Sequence, residues 1–185
     1  MIRVAILDRH PAVRAGLDAM LTRHPGLASA GCATHPRELL PLLYRVDPDV
    51  LLLDELALVR RAKTEAPRTR VILYVGEATP ETVLAATIAG ADGVVDKSAD
   101  TRELVRAVRD VAAGERVLPC VAPTLRARAA ARLDPRDRPI FAMRLAGTSP
   151  RDIAGVVGMT VAALNARVSA IVAQLAGPRA LTAAV

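Results

Sequence analysis

The residues best placed to do chemistry begin with an acid. In "DPDVLLLDELALVRRAKTEAP", residues 47 to 67, an apolar run stops at Asp54 and passes at once into a helix-like pattern. The carboxyl ends of strands in an open α/β sheet line the crevice where ligands sit, so a carboxylate there reads as a site residue. An acid held by the dipole of the following helix is the alternative, and both readings stay open on this stretch alone. A second candidate is "TVAALNARVSAIVAQL", residues 160 to 175. Val161, Leu164, Val168, Ile171 and Leu175 recur there at spacings of three and four, which leaves Asn165, Arg167 and Ser169 off the apolar stripe. Glycine-rich phosphate loops, metal-ligand spacings and Ser/His/Asp constellations are absent, so an independent enzyme is not expected. Cys32 and Cys120 have no metal spacing and are expected to be reduced core or boundary thiols.

The elements that must position these residues are legible in the periodicity. Short β-like runs at 2–7, 27–32, 50–53, 71–75 and 93–95 alternate with helix-like segments, which implies a parallel five-stranded sheet with right-handed crossovers. Pro11 suits a first helical position, Thr79 precedes Pro80 as a cap would, and Asp100 with Glu103 imitates a capping box. Gly90 and Gly114 stand where helices should stop. Alternation ends near residue 114, and "ERVLPCVAPTLRARAAAR" follows as a linker that turns helical near Pro123. From 133 onward the chain reads as helices punctuated by Gly147, Gly158 and Gly177. Ser149 and Thr160 are placed to cap the last two. A short helix, a glycine-containing turn and a longer helix with polar residues near its start is a helix-turn-helix layout. The expected organisation is therefore an α/β unit over 1–114, a linker over 115–132 and an all-α unit over 133–185.

With 185 residues the chain allows one domain or two small ones. One Phe, two Tyr and no Trp leave Ala, Val and Leu to build the core. No apolar run approaches the roughly 20 residues of a membrane span, and the start lacks an export signal, so a cytoplasmic protein is expected. The net charge of +6 is uneven: residues 1 to 115 hold 15 Lys/Arg against 16 Asp/Glu, and residues 116 to 185 hold 10 Arg against 3 Asp. A basic small unit behind a near-neutral larger one is an electrostatic footprint for nucleic acid.

On these residues the chain resembles the two-domain response regulators of the NarL/FixJ type, a flavodoxin-like receiver followed by a LuxR-type DNA-binding domain. "VAILDRHPAVRAGL" is similar to the family's opening strand and acidic pocket, "PDVLLLD" to its phosphoacceptor strand and "AGADGVVDKSA" to its last strand and lysine. "LDPRDRPIFAMRLAGTSPRDIAGVVGMT" is similar to the start and scaffold helix of the output domain. The resemblance implies that Asp54 is the phosphoacceptor, Asp8 a metal-site acid and Lys97 the phosphate-pairing lysine. It implies that Thr160, Asn165, Ala166, Arg167 and Ser169 lie along the DNA-reading helix, with Arg151 beside it. Asn can read adenine bidentately and Arg can grip guanine or phosphate. Arg136, Arg138 and Arg144 are further candidate contacts. The expected partners are double-stranded DNA and a second copy of the chain or a related regulator.

Departures from the family pattern set the remaining expectations. Arg9 stands where the second metal-site acid would be, and a guanidinium cannot ligate Mg²⁺. Val75 replaces the switch hydroxyl, Val94 the switch aromatic, and Asp54 runs into "ELALVRRAK" about seven residues too soon. The expectation is a receiver that has lost Mg²⁺-dependent phosphorylation, needs no cofactor, and holds Asp54 in a fixed pair with Arg9 or Lys97. A histidine kinase partner is correspondingly disfavoured. The reading helix carries a single positive charge, so unaided DNA affinity should be modest. Three functions stay open: a phosphorylation-independent DNA-binding regulator, which the charge distribution favours, a module that binds another regulator without DNA, and a genuine phosphotransfer receiver.

Overall fold

The computed structural model describes the backbone of residues 1–181 and the side chains of residues 1–176. Five strands, β1 (Ile2–Leu7), β2 (Leu27–Ala33), β3 (Val50–Leu53), β4 (Arg70–Val75) and β5 (Gly93–Asp96), form one parallel sheet in the order β2-β1-β3-β4-β5. Five helices alternate with them: α1 (Pro11–Arg23), α2 (Leu39–Val46, after a 3₁₀ turn), α3 (Leu56–Glu65), α4 (Pro80–Ala89) and α5 (Thr101–Ala112). Four more follow: α6 (Pro123–Arg132), α7 (Arg138–Leu145), α8 (Pro150–Val157) and α9 (Val161–Leu181). Strand order reverses beside β1, so the crevice between β1 and β3 is where a doubly wound sheet offers a site.

Local chemistry explains most boundaries. Pro11 and Pro80 open α1 and α4, and the Thr79 hydroxyl accepts the Thr82 N–H at 3.1 Å. Asp100 accepts the Glu103 N–H at 2.8 Å and caps α5. The Gly90 cap of α4 sits at φ +99°, a backbone state that favours glycine. α3 begins two residues after Asp54, so the short connection is real. The expected stop at Gly177 does not hold, since α9 continues through it to Leu181. The thiols also differ from expectation: Cys32 and Cys120 are free but exposed. Among the described residues no single helix is long and apolar enough to cross a membrane.

Two cores fill the structure. β-strand residues such as Ile6, Leu52 and Ile72 pack with Leu17, Leu21, Leu104 and Val108 of α1 and α5 on one face of the sheet. On the other face, Leu7, Leu51, Leu53 and Leu73 share one cluster with α2–α4 and with Leu133, Phe141, Ile153, Leu164, Val168 and Ile171 of the C-terminal helices. α4 is the bridge: every residue from Val83 to Ala89 is buried, and the helix lies along α9 and also against α6 and α7. An all-round apolar helix must be covered on every side, and here the sheet covers one flank and the C-terminal helices the other. The chain after α5 also returns to the sheet, with Val117 bridged to Gly93 beside β5. Residues within the 115–132 stretch therefore extend the sheet's hydrogen bonding before α6 begins.

Candidate functional site

β1 and β3 pair with Leu7 opposite Leu53, so Asp8 and Asp54 emerge together at the carboxyl edge of the sheet. Lys97 arrives from the end of β5, where its N–H donates to the Val75 carbonyl at 2.7 Å. Asp8 is buried at 2% exposure. Its Oδ1 accepts the His10 N–H at 2.8 Å and lies 2.9 Å from His10 Nδ1, and its Oδ2 lies 2.6 Å from Lys97 Nζ. Burial works to raise the Asp8 carboxyl, but the Lys97 and His10 contacts together outweigh it and hold the group below the usual carboxylate range. Asp54 is the opposite case. Burial first, and then the Asp8 charge, push it upward against the opposing pull of Arg9 and Lys97.

The expected pair on Asp54 is present only as a loose one. Lys97 Nζ and Arg9 Nε each stand 4.0 Å from Asp54 Oδ2, at the limit of an ion pair, and the lysine's close partner is Asp8. Physically, the more deeply buried carboxylate gains more from direct contact with a counter-charge. The Arg9 side chain is 44% exposed and its backbone N–H is the nearer contact, donating to Asp54 at 3.3 Å.

Val75 lines the cleft of about 470 Å³ over this site together with Arg9, His10, Asp54 and Lys97. Thr82 also reaches it from the first turn of α4, with its hydroxyl 2.9 Å from that of Thr79. Thr82 was missed as a site feature by sequence reasoning, and the helix-start signature around Thr79 was the available signal.

The family's Mg²⁺ can be tested against the donors present. One ligand atom each from Asp8, His10 and Asp54 lie within 4.8 Å of one another. Mg²⁺ demands near-octahedral oxygen ligation, whereas this set holds two carboxylates and an imidazole. Lys97 already occupies Asp8 Oδ2 at 2.6 Å, and Arg9 takes the place of a third acid. The residues do not fit Mg²⁺.

The second candidate region is α8–α9. Ser149 caps α8, its hydroxyl accepting the Asp152 N–H at 3.2 Å, and Thr160 caps α9 by accepting the Ala163 N–H at 3.1 Å. Leu164, Val168 and Ile171 are buried as the stripe requires, but Val161 is 41% exposed because the first turn of α9 projects beyond the core. Asn165 Oδ1 accepts from Arg60 Nη2 of α3, and Asn165, Ala166 and Ser169 border a cleft of about 280 Å³ with Ala57 and Arg61. Ser169 donates back to the Asn165 carbonyl at 3.0 Å, and Arg167 Nε donates to Asp137 at 2.7 Å. Arg151 is exposed on α8. Arg144, expected near DNA, instead lies between the two parts of the chain with its Nε on the Ile88 carbonyl at 3.0 Å.

Comparison with known proteins agrees with this architecture. The response regulator receiver domain family matches residues 4–109. The DNA-binding transcriptional activator DevR/DosR of Mycobacterium tuberculosis is 30% identical over an alignment spanning 100% of this chain and 93% of that protein. A two-component response regulator of the LuxR family from Aurantimonas sp. SI85-9A1 superposes with a TM-score of 0.60 at 25% identity, over 80% of this chain and 96% of that one. RcsB from Salmonella enterica serovar Typhimurium, solved bound to a promoter, shares the fold at 19% identity with a TM-score of 0.63, over 97% of this chain and 95% of its own. Sheet order, acid pair, lysine and matched residues lead to one assignment: the chain belongs to the response regulators, of the NarL/LuxR type with a receiver followed by a helical C-terminal region.

Proposed function

We propose that this chain is a DNA-binding transcriptional regulator whose receiver works without Mg²⁺-dependent phosphorylation. Double-stranded DNA is the partner of α8–α9, read through Asn165, Arg167 and Ser169, with Thr160 and Arg151 at the edge. The receiver-like unit is 1–114, the linker 115–132 and the output unit 133–185. The protein works in the cytoplasm as a regulator rather than an enzyme, as a pair with a second copy or a related regulator. The observation that carries the reading is the basic C-terminal unit, 10 Arg against 3 Asp over residues 116 to 185, behind a near-neutral receiver, while the Arg60–Asn165 contact between α3 and α9 supports a covered state of that helix. Two states follow, a closed one in which the receiver covers α9 and an open one that offers α9 to DNA. Loss of phosphorylation is supported by Arg9, Val75 and a donor set unsuited to Mg²⁺. Control then falls to whatever shifts the closed state, by dimerisation or by binding a partner or ligand.

Titration of labelled genomic duplex fragments at several salt concentrations, with and without beryllofluoride and Mg²⁺, tests the reading. Salt-dependent binding that the phosphate mimic leaves unchanged is expected. Binding that appears only with the mimic refutes a phosphorylation-independent receiver. A second reading has its own support: Arg167 is held by Asp137 and Asn165 by Arg60, as in a module that binds another regulator and never DNA. Absence of binding at every salt concentration, also after α9 is released by substitution at the interface, favours that module.

A further inference from the structure

A cleft of about 690 Å³ opens between the receiver and the C-terminal helices, on the side of α4 away from the acid pair. Five cations line it: Arg60, Lys63, Arg70, Arg116 and Arg144, against one acid, Asp92. Asp92 is already used. Its oxygens accept Lys63 Nζ at 2.9 Å, Arg70 Nη1 at 3.3 Å and the Val71 N–H at 2.8 Å. Among the described residues Arg60, Arg116 and Arg144 have no carboxylate within ion-pair distance. Their observed bonds go to neutral groups, Arg60 to the Asn165 amide and Arg144 to the Ile88 carbonyl.

Like charges gathered without a counter-ion are costly, and more so when buried. Arg60 is only 9% exposed. Burial, and then the charge of Arg144, push its guanidinium down to about 10, and burial followed by Arg116 lowers Arg144 as well. The backbone is shaped to these groups. A Cβ at Gly90 would lie 2.5 Å from Arg144 Nη2, and one at Gly147 would lie 3.2 Å from Arg116 Nη1. Both glycines have positive φ, +99° and +81°. The guanidiniums thus lie close against bare backbone turns from opposite sides of the cleft. Much of the remaining wall is alanine, glycine and proline, and it holds no aromatic ring on which a base could stack.

We infer that this cleft is a binding site for a compact phosphorylated small molecule carrying at least two negative charges, held by Arg60, Arg116 and Arg144. Planar guanidinium forks match phosphate oxygens bidentately, and three of them neutralise more than one charge. The cleft is walled by both parts of the chain, α3 and the end of α4 on one side and the α7–α8 turn on the other, and it reaches Asn165. A ligand here favours the closed state. On the reading of this protein as a DNA-binding regulator, reciprocity requires that the anion and DNA weaken each other's binding.

Inorganic pyrophosphate serves as the probe. Calorimetric titration of the full chain at constant ionic strength should give saturable binding at about one site, together with a rise in melting temperature. Arg116→Gln, on an exposed side chain, and Arg144→Gln should each weaken pyrophosphate binding about tenfold or more, since each removes charge-assisted hydrogen bonds. Arg106→Gln, an exposed arginine of α5 beside Asp110, should leave it unchanged. No saturable binding, or binding indifferent to Arg116→Gln and Arg144→Gln, overturns the site. If both substitutions impair duplex DNA binding and pyrophosphate binds neither wild type nor variant, the arginines serve the DNA backbone and the small-molecule site is wrong. Saturating pyrophosphate should also weaken duplex binding by wild type. Pyrophosphate binding that responds to the substitutions while DNA binding stays unchanged supports the site and instead refutes the closed-regulator reading.

Discussion

Truncating Leu84 separates closure from folding. Leu84 lies on α4 at 2% exposure, among Leu125, Ala129 and Leu133 on one side and Leu175 of α9 on the other. If the C-terminal helices swing away, this side chain is left facing water. Leu84→Ala removes three carbon groups worth about 0.8 kcal/mol each, so the closed state loses about 2.4 kcal/mol relative to the open one. That shifts the closed-to-open ratio roughly 50-fold, and apparent DNA affinity should rise by up to that factor when the closed state dominates. Leu52→Ala is the control. Leu52 is 1% exposed in the core on the other face of the sheet, with α1 and α5, and loses the same atoms. Both variants should unfold at lower urea, each destabilised by about 2–5 kcal/mol. Fluorescence anisotropy with labelled duplex at fixed salt should register a gain for Leu84→Ala alone. Equal DNA affinities for the two variants would refute the idea that packing of α4 under α9 holds the reading face shut.

Four further substitutions probe the acid pair and the caps. Asp54→Asn should stabilise the protein at pH 7 in urea melts, because burial and Asp8 both oppose the ionised Asp54 carboxylate. Since its folded pKa is raised, that cost exists above the folded value and disappears as pH falls through it, so the gain should vanish in acid. Lys97→Met strands the buried Asp8 carboxylate and should cost about 3 kcal/mol near neutrality. Asp8 is depressed in the fold, so the stability it supplies is present above the unfolded pKa and is lost as pH falls through the folded one; variant and wild type should therefore converge in acid. Gly90→Ala forces a Cβ into φ +99° and against Arg144, and should lower stability by about 1–2 kcal/mol in thermal melts. Thr160→Ala removes the α9 cap and should cost about 1 kcal/mol by the same measurement.

Much of this architecture is written locally. The strands lie within a residue of the boundaries that periodicity gives, because buried parallel strands announce themselves as short runs of Val, Leu and Ile. Thr79, Asp100, Ser149 and Thr160 cap helices as their neighbours imply. What was not legible depends on distance in the chain. Choosing between Asp8 and Asp54 as the partner of Lys97 required knowing which carboxylate is more deeply buried. Arg60 and Arg144 lie on α3 and α7 and Arg116 in the connection after α5, so no window of sequence marks them as neighbours, and Arg144 was consequently expected on a DNA-facing surface. One long-range signal was present and unread. "PETVLAATIA" has no polar face after its first turn, and a receiver helix with no polar face has to be covered by something beyond its own sheet.

That helix also bears on how such a chain can be recombined. Receivers and output domains are commonly thought of as interchangeable parts, joined by linkers that tolerate exchange. α4 breaks the exchange, because its outer flank is finished by residues of α6, α7 and α9 rather than by water. A chimera that grafts a foreign output domain after residue 116 leaves that flank with an unmatched cover, and inherits an exposed apolar strip that invites aggregation. The segment beginning at Val117, which still pairs with the edge of β5, places the practical junction later than the fading of the strand pattern would put it. Here the unit that transfers intact is the receiver together with the helices that cover α4.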